Sequence, residues 1–594
     1  MPGPKNIAAK PKNIKVTFKR LLKSLKPWYP HIAIAIILTI AASVLSIFGP
    51  KILGNMTTEA VDSLTRTGNI NWEPIAQSAL ILILLYLFSF GVSYLKEIIF
   101  GILTAKYTKK LRHSILDKIN HLPAQYFDRH PFGDTLSRMT NDIDILANSL
   151  SNELAEIISG VTTVIGILIM MISISLALSG IAVITVPISL ILVSKVAGKA
   201  QKYFAARQAT LGTLNSDIEE NYSGLNIISS NSHEEQSLAD FSHINEKLYR
   251  ETWKSQFLSS LAFPLTHIFT NLSYIAICIT GGYLAISGKI SIGDIQAFTQ
   301  YVNQFNRPIT NLSDIAATIQ LTLAAAERIF DFLDEIEEIE TTENTNIKNL
   351  KGSVEFKNVN FYYEKGKPII KNFSAKIEPG QKVAIVGPTG AGKTTIINLL
   401  MRFYDPQSGE ILIDGVPIST MKRKDVRKLF GMVLQDTWLF SGTIEENLRY
   451  GNKNITKSDI VNVAKITNMH HYIESLSHGY DTVISEDSDN ISAGEKQLLT
   501  ITRAMIANPP MLILDEATSN VDTRTEQVIQ DAFEKLTKGK TSFVIAHRLS
   551  TIRNSDLILV VKDGNIVEQG NHESLLKKNG FYAELYNSQF SETV

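Results

Sequence analysis

Hydrophobic positions are distributed in two ways along this chain. Up to about residue 333 they form long uncharged runs. Beyond it they come as short apolar runs separated by glycine and polar clusters, the pattern of alternating strands and helices. Ile32–Pro50 is free of charge and long enough to cross a hydrocarbon core of about 30 Å at about 1.5 Å per helical residue; after a polar connection over 51–74, Ile75–Leu95 does so again. No residue from Ile157 to Ser194 is ionisable, and one helix of that length would reach about 57 Å. This stretch therefore folds back as a hairpin, with its turn at Ser179-Gly180 and a kink at Pro187. The spacing predicts six spans, at about 31–51, 75–100, 153–178, 181–200, 256–286 and 292–323. Between them, 96–153 and 195–256 are helix-patterned and each is broken once, at His130-Pro131-Phe132-Gly133 and at Tyr222-Ser223-Gly224. Each is read as two span helices prolonged beyond the bilayer and joined by a short crosswise helix; Leu111, Ile115, Ile119 and Leu122 keep the helical spacing through the first.

Charge orients this half. Lys and Arg gather in 1–30, in 96–138 and in 195–254 and are sparse in 51–74 and 287–294, so the basic sides face the cytoplasm. Residues 1–30 read as a basic cytoplasmic segment without a cleavable leader. Residues 31–333 form the membrane domain, 334–351 an acidic linker and 352–594 a cytoplasmic α/β domain. The formal net charge of zero gives no push toward nucleic acid, and the 44% apolar content is ordinary only because it averages two unlike halves. The single Cys278 rules out an intrachain disulfide and reads as a packing residue. The sixth span is the most polar. Its Arg307 and Asp314 are candidates for lining a substrate path, because charge in hydrocarbon is costly unless it faces a cavity or a partner helix. His267 in the fifth span has a weaker claim, against a helix-packing hydrogen bond.

The second half holds the candidate chemistry. Gly387-Pro388-Thr389-Gly390-Ala391-Gly392-Lys393-Thr394 follows the apolar run Val383–Val386 and precedes a helical pattern. Strand, glycine loop and helix in that order make a cradle for a nucleoside triphosphate: backbone N–H groups converge on phosphate, Lys393 adds a point charge and Thr394 offers a hydroxyl to Mg2+. Met511–Leu514 is an apolar strand ending in Asp515-Glu516, the first acid placed to hold Mg2+ through water and the second to polarise the attacking water. Ser542–Ala546 is a similar strand with His547 at its tip. Tyr363 is a candidate to stack on a base, as are its neighbours Phe361 and Tyr362.

The order of the phosphate loop, Gln435, Ile491-Ser492-Ala493-Gly494-Glu495, Leu514-Asp515-Glu516, Ser519-Asn520-Val521-Asp522 and His547 resembles the nucleotide-binding domain of ATP-binding cassette (ABC) transporters. Tyr126-Phe127-Asp128 with Gly133-Asp134, Arg138 with Asn141-Asp142, and Ala326-Glu327-Arg328-Ile329-Phe330 are similar to the first cytoplasmic loop and the post-span junction of ABC exporters, so the resemblance covers nearly the whole chain. Six spans followed by one cassette is the half-exporter layout. It implies a helical membrane domain followed by an α/β P-loop domain, a dimer with two composite sites, and ATP and Mg2+ as cofactors. Carried over by residue, Tyr363 would stack on adenine and Gly387 to Thr395 would hold the phosphates. Thr394, Gln435 and Asp515 would support Mg2+, Glu516 would be the base and His547 would sense the γ-phosphate. Ser492 to Glu495 would cap the partner's ATP, Asp522 would belong to the aspartate loop, and Glu486 would meet the partner's cytoplasmic loop.

Two departures from the family pattern matter. The usual signature is Leu-Ser-Gly-Gly-Gln; Ala493 adds a methyl where the backbone approaches phosphate and Glu495 adds negative charge. Asn520-Val521 stands where Ala-Leu is common. An altered signature beside an intact Glu516 resembles the catalytically complete subunit of heterodimeric bacterial multidrug exporters of the LmrCD and EfrCD kind. The expectation is ATP-driven export of hydrophobic or amphipathic compounds across the cytoplasmic membrane, with a second half-transporter chain as partner. The alternatives are a homodimeric lipid or peptide exporter and, from another class, an ATP-gated sensor or channel.

Overall fold

The computed structural model describes residues 13–339, 350–434, 437–484, 491–515, 523–546 and 549–590. It divides into two compact units. One holds the chain up to Asn120 with His130–Glu335, the other His121–Arg129 with the chain from Ile336 onward.

The first unit is helical. An amphipathic helix, Ile14–Ser24, precedes six long helical runs among the described residues: Tyr29–Thr67, Trp72–His121, Phe132–Ile174, Leu176–Ser223, Glu234–Ile286 and Ile292–Leu333, with a short helix at Leu225–Ser230. By length and composition alone, four stretches among the described residues are apolar enough to cross a membrane: Lys26–Arg66, Trp72–His121, Phe132–Ile174 and His267–Ile286. Leu80, Leu84, Leu87 and Phe88 on the second run are exposed, as lipid-facing residues are.

The hairpin turn falls at Ser175, not at Ser179-Gly180. Ser175 is extended and its side chain caps the next helix by accepting from the Leu178 N–H, which glycine at 180 has no means to do. The first long helix likewise continues through the stretch that reads as a polar connection, to Thr67, where Gly68 in the left-handed region ends it. The polar residues there pair with the start of the last helix. Lys51 meets Asp294 at 2.6 Å, and the Gly293 N–H donates to Thr58 Oγ1 at 3.2 Å. A Cβ on Gly293 would lie 1.7 Å from the Gly54 carbonyl, so the two backbones cross where only glycine fits. Gln296 of the polar sixth span accepts from Thr57, and the Tyr301 hydroxyl donates to the Ile47 carbonyl at 2.8 Å. Below this crossing, Ile167, Met171, Leu178, Ile277, Phe298 and Phe305 share a buried core.

The third long run contains two π-helical turns, Arg138–Asp142 and Ser149–Glu153. The first presents buried Asp142 to Arg328 of the last helix, whose Nε donates at 2.9 Å.

The second unit is α/β. A six-stranded sheet runs in the spatial order Asn565–Gly570, Leu557–Lys562, Lys382–Val386, Thr541–Ile545, Met511–Asp515 and Phe430–Val433, parallel except at its first pair. The inner strands are buried almost throughout, as expected of a parallel sheet covered on both faces. A four-stranded antiparallel sheet orders Ile370–Ile377, Val354–Phe361, Ser408–Ile413 and Val416–Pro417. The two sheets close around one core that takes Phe356 and Phe373 from the second, Val383 and Phe543 from the first, and Ile396 and Leu400 from the helix between.

Candidate functional site

Four parallel strands end on one edge of the larger sheet. Register pairs Ile385 with Ile545, Ile545 with Asp515, and Leu514 with Val433, so the strand ends at Val386, Ile545, Asp515 and Val433 lie side by side. Ligands of open α/β sheets bind at such a carboxyl edge. The first loop is Gly387–Gly392, leading into the helix Lys393–Leu400. Gly392 has φ +100, and a Cβ there would sit 2.8 Å from Ile370 Cδ1; at Gly387 a Cβ would fall 2.1 Å from the Val561 carbonyl oxygen. Pro388, Thr389 and Gly390 stand exposed, and so does Thr394 on the first helical turn. Buried Lys393 donates from Nζ to the carbonyls of Gly387 at 2.7 Å and Pro388 at 3.0 Å, spanning the loop it would serve. Burial pulls its pKa below the usual lysine range, opposed by the Asp515 carboxylate at the tip of the neighbouring strand.

Gln435, Glu486, Glu516, Asp522 and His547, together with Ser519 to Val521, lie outside the described residues. The strand ends from which Gln435, Glu516 and His547 issue are described: Val433, Asp515 and Ala546. The backbones of Arg307 and Asp314 belong to the Ile292–Leu333 helix, and their side chains lie outside the description. His267 is on the Glu234–Ile286 helix, nearly one turn beyond Pro264.

Tyr363 is part of an aromatic cluster, with its ring centroid 4.8 Å from Phe361 and 5.0 Å from Tyr404, edge to face in both cases. Its hydroxyl donates to Thr395 Oγ1 at 3.3 Å and accepts from Asn398 Nδ2 at 3.3 Å, tying the aromatic cluster to the helix after the phosphate loop. Tyr404 and Asn398 carry no motif, and sequence reasoning missed them. Also unforeseen is the attachment of Ala124–Arg129 to this cluster. Tyr404 hydrogen-bonds the Asp128 carboxylate, Arg129 donates to the Tyr363 carbonyl at 3.2 Å, and Ala124 packs against the core of the domain.

The signature segment begins a helix. Ser492 is the N-cap of Ala493–Ala507, exposed together with Ala493, while Gly494 is buried. The Ser492 hydroxyl accepts from the Glu495 N–H at 3.3 Å, and the Glu495 carboxylate accepts from the Ser492 N–H and hydroxyl, both at 2.8 Å. This reciprocal cap satisfies the donors at the start of the helix from within. A third donor is Tyr472, whose hydroxyl is pushed up to about 12 by burial, by the charge of Glu495 and by its hydrogen bond to that carboxylate.

The class follows from this arrangement: a phosphate-loop nucleotidase carried on a bundle of membrane-length helices. The chain belongs to the ABC transporters. The model of the ABC transporter transmembrane region matches residues 32–309 and that of the ABC transporter domain matches 370–519. The chain is 40% identical, over 95% of its length and 95% of the relative's, to a fatty acid ABC transporter ATP-binding/permease protein of Mycobacterium bovis. It is 34% identical to an ATP-dependent lipid A-core flippase of Syntrophus aciditrophicus over 97% and 95% of the two chains. It is also 34% identical to a probable multidrug resistance ABC transporter ATP-binding/permease protein of Bacillus subtilis over 87% and 78%. It is therefore an exporter half-transporter, a membrane protein that functions as a dimer, binds ATP and couples its hydrolysis to transport.

Proposed function

We propose that this chain is the catalytically complete half of a heterodimeric exporter that moves hydrophobic or amphipathic compounds, of the multidrug type, out across the cytoplasmic membrane, with its nucleotide domain on the cytoplasmic side. The observation that carries the asymmetric pairing is the Ser492–Glu495 cap. The serine hydroxyl and N–H that would grip the partner's ATP are engaged by a carboxylate of their own helix, and a carboxylate is a stronger acceptor than the amide of a glutamine. Such a signature completes a weak site, so a partner with a better signature would be needed for fast turnover of the ATP held by Lys393 and Glu516.

In that site Tyr363 offers a ring to adenine and the loop from Gly387 to Thr395 its N–H groups to the phosphates. Lys393 exchanges its carbonyl contacts for phosphate oxygens, Glu516 orients and deprotonates the attacking water, and His547 contacts the γ-phosphate. Thr394, exposed at the helix start, and Asp515 at the adjacent strand tip form an oxygen donor set suited to a hard divalent cation. Gln435 follows the next strand. Mg2+ held there would neutralise charge on the phosphates. ATP favours the closed pair of nucleotide domains by binding it more tightly than the open pair, which turns the cavity outward; hydrolysis resets it.

Supporting the dimer, the short helix Leu225–Ser230 of the second long loop has no buried residue, and its Leu225 and Ile227, with Tyr222 just before it, are exposed. The nucleotide domain exposes Trp438, Phe440 and Tyr450. Docking of this helix on a second chain's nucleotide domain would cover both.

ATPase measurements on the purified chain and on its complex with a co-purifying half-transporter test the pairing. The complex should turn over at least about tenfold faster per Glu516 site; equal rates would remove the heterodimer. A homodimeric lipid exporter is the second reading, favoured by the near full-length similarity to the fatty acid transporter.

A further inference from the structure

A cavity of about 320 Å3 opens beneath the amphipathic helix Ile14–Ser24. Leu21 and Leu25 roof it, Tyr107, Leu154 and Leu323 of three long helical runs line it, and Phe18, half exposed, stands at its mouth. Its size falls at the lower end of the roughly 300–1,000 Å3 of small-molecule sites. Apart from Ser149 and Thr322, the lining is hydrocarbon and aromatic with one acid, Glu153. Among the described residues Glu153 has no hydrogen-bond or ion-pair partner, and neither Lys nor Arg lines the cavity. Glu153 closes the π-helical turn Ser149–Glu153, and Ser149 and Leu150 of that turn line the same wall. A wider turn of this kind recurs at functional sites because it re-aims side chains that a regular helix would stagger away.

We infer that this cavity is a binding site for a lipophilic cation, one positive centre on an apolar body, entering past Phe18 from the adjacent membrane. Burying an apolar body against this lining is favourable at about 25 cal/mol per Å2. The Glu153 carboxylate, half-buried and without a cationic partner among the described residues, gains one in a cation placed beside it. Phe18, Tyr29 and Tyr107 place aromatic rings in the same lining, and such rings attract a cation. A fatty acid or an anionic lipid headgroup would set like charge against Glu153. The lysines of the amphipathic helix, Lys15, Lys19 and Lys23, are exposed and not part of the lining, so they do not reverse that preference. Capture here as a first step of transport rests on the export reading above; the binding does not.

The test is equilibrium binding of radiolabelled tetraphenylphosphonium to the full chain in nanodiscs of neutral phosphatidylcholine, without ATP. Saturable binding is expected, weakened at least about tenfold by Glu153→Gln, retained by Glu153→Asp and abolished by Leu25→Trp, which fills the cavity. Binding unchanged by Glu153→Gln and Leu25→Trp would overturn the site, and tighter saturable binding of palmitate than of the cation would overturn its chemistry. Because no hydrolysis is involved, a failure here leaves the export reading standing, and a failure of export leaves the binding result intact.

Discussion

Glu495 shows how a single side chain sets the character of a composite site. A helix start and an anion site need the same donors, so the capping carboxylate and the γ-phosphate of a partner's ATP compete for Ser492. Glu495→Gln keeps the cap geometry but weakens its hold, because hydrogen bonds to charged groups are worth about 1 kcal/mol more than neutral ones. The expected result is an apparent ATP affinity raised about threefold to tenfold in the site that this signature completes, read by nucleotide titration of the two-chain complex. No change would mean that the cap does not compete. The phosphate loop and the departures at Ala493 and Glu495 were legible in the sequence, since they are carried by residue type at fixed spacing. The cap that joins Ser492 to Glu495 also has a sequence signature, serine followed three residues on by an acid; its cost to nucleotide grip becomes visible only with the hydrogen bonds in view. Tyr404 had no such signal. It reaches Tyr363 and Asp128 through the meeting of a strand, a turn and a distant helix, which no local pattern encodes.

At the scale of elements, the six spans expected from the hydrophobic pattern correspond to long helices, but the ends of those helices depend on caps and on pairing partners. The break at Ser175 follows from a serine cap, and the continuation of the first helix past Pro50 from its pairing with the start of the last helix at the crossing of Gly54 with Gly293, until Gly68 ends it after Thr67. The short helix Ala124–Arg129 is inserted between two helices of the membrane unit in sequence, yet it belongs to the nucleotide unit in contacts. That makes it the element through which a change around Tyr363 would be passed on. Tyr404→Phe removes the hydroxyl that meets Asp128 at a cost to stability of only about 1 kcal/mol. ATP binding should persist within about twofold of the parent while stimulation of the ATPase by cargo falls away; full stimulation would assign the coupling elsewhere. Arg328 and Asp142 bind the last long helix to the first π-helical turn. Arg328→Met leaves buried Asp142 without its guanidinium and should cost about 3 kcal/mol, seen as a lowered unfolding midpoint in detergent. Arg328→Met with Asp142→Leu should recover most of the loss, because the uncompensated charge is then gone. A double variant as unstable as the single one would show that the pair is not the source of the effect.

The whole molecule comprises a helical unit that offers apolar surface to lipid and a nucleotide unit whose strand ends bring a phosphate loop and Asp515 to one sheet edge. The domain order and family were legible from the first pattern of runs and motifs. The cargo was not, because the shape and charge of a cavity arise from side chains far apart in sequence, and a partner chain would supply the other half. On the proposed function, ATP consumed at the Lys393 site drives amphipathic cargo across the membrane. Inside-out proteoliposomes holding this chain with its co-purified partner, given ethidium and ATP, test it directly by comparison with Lys393→Ala. ATP-dependent dye accumulation should drop to the level without ATP in the variant, and accumulation by the variant equal to the parent would contradict transport driven from the Lys393 site.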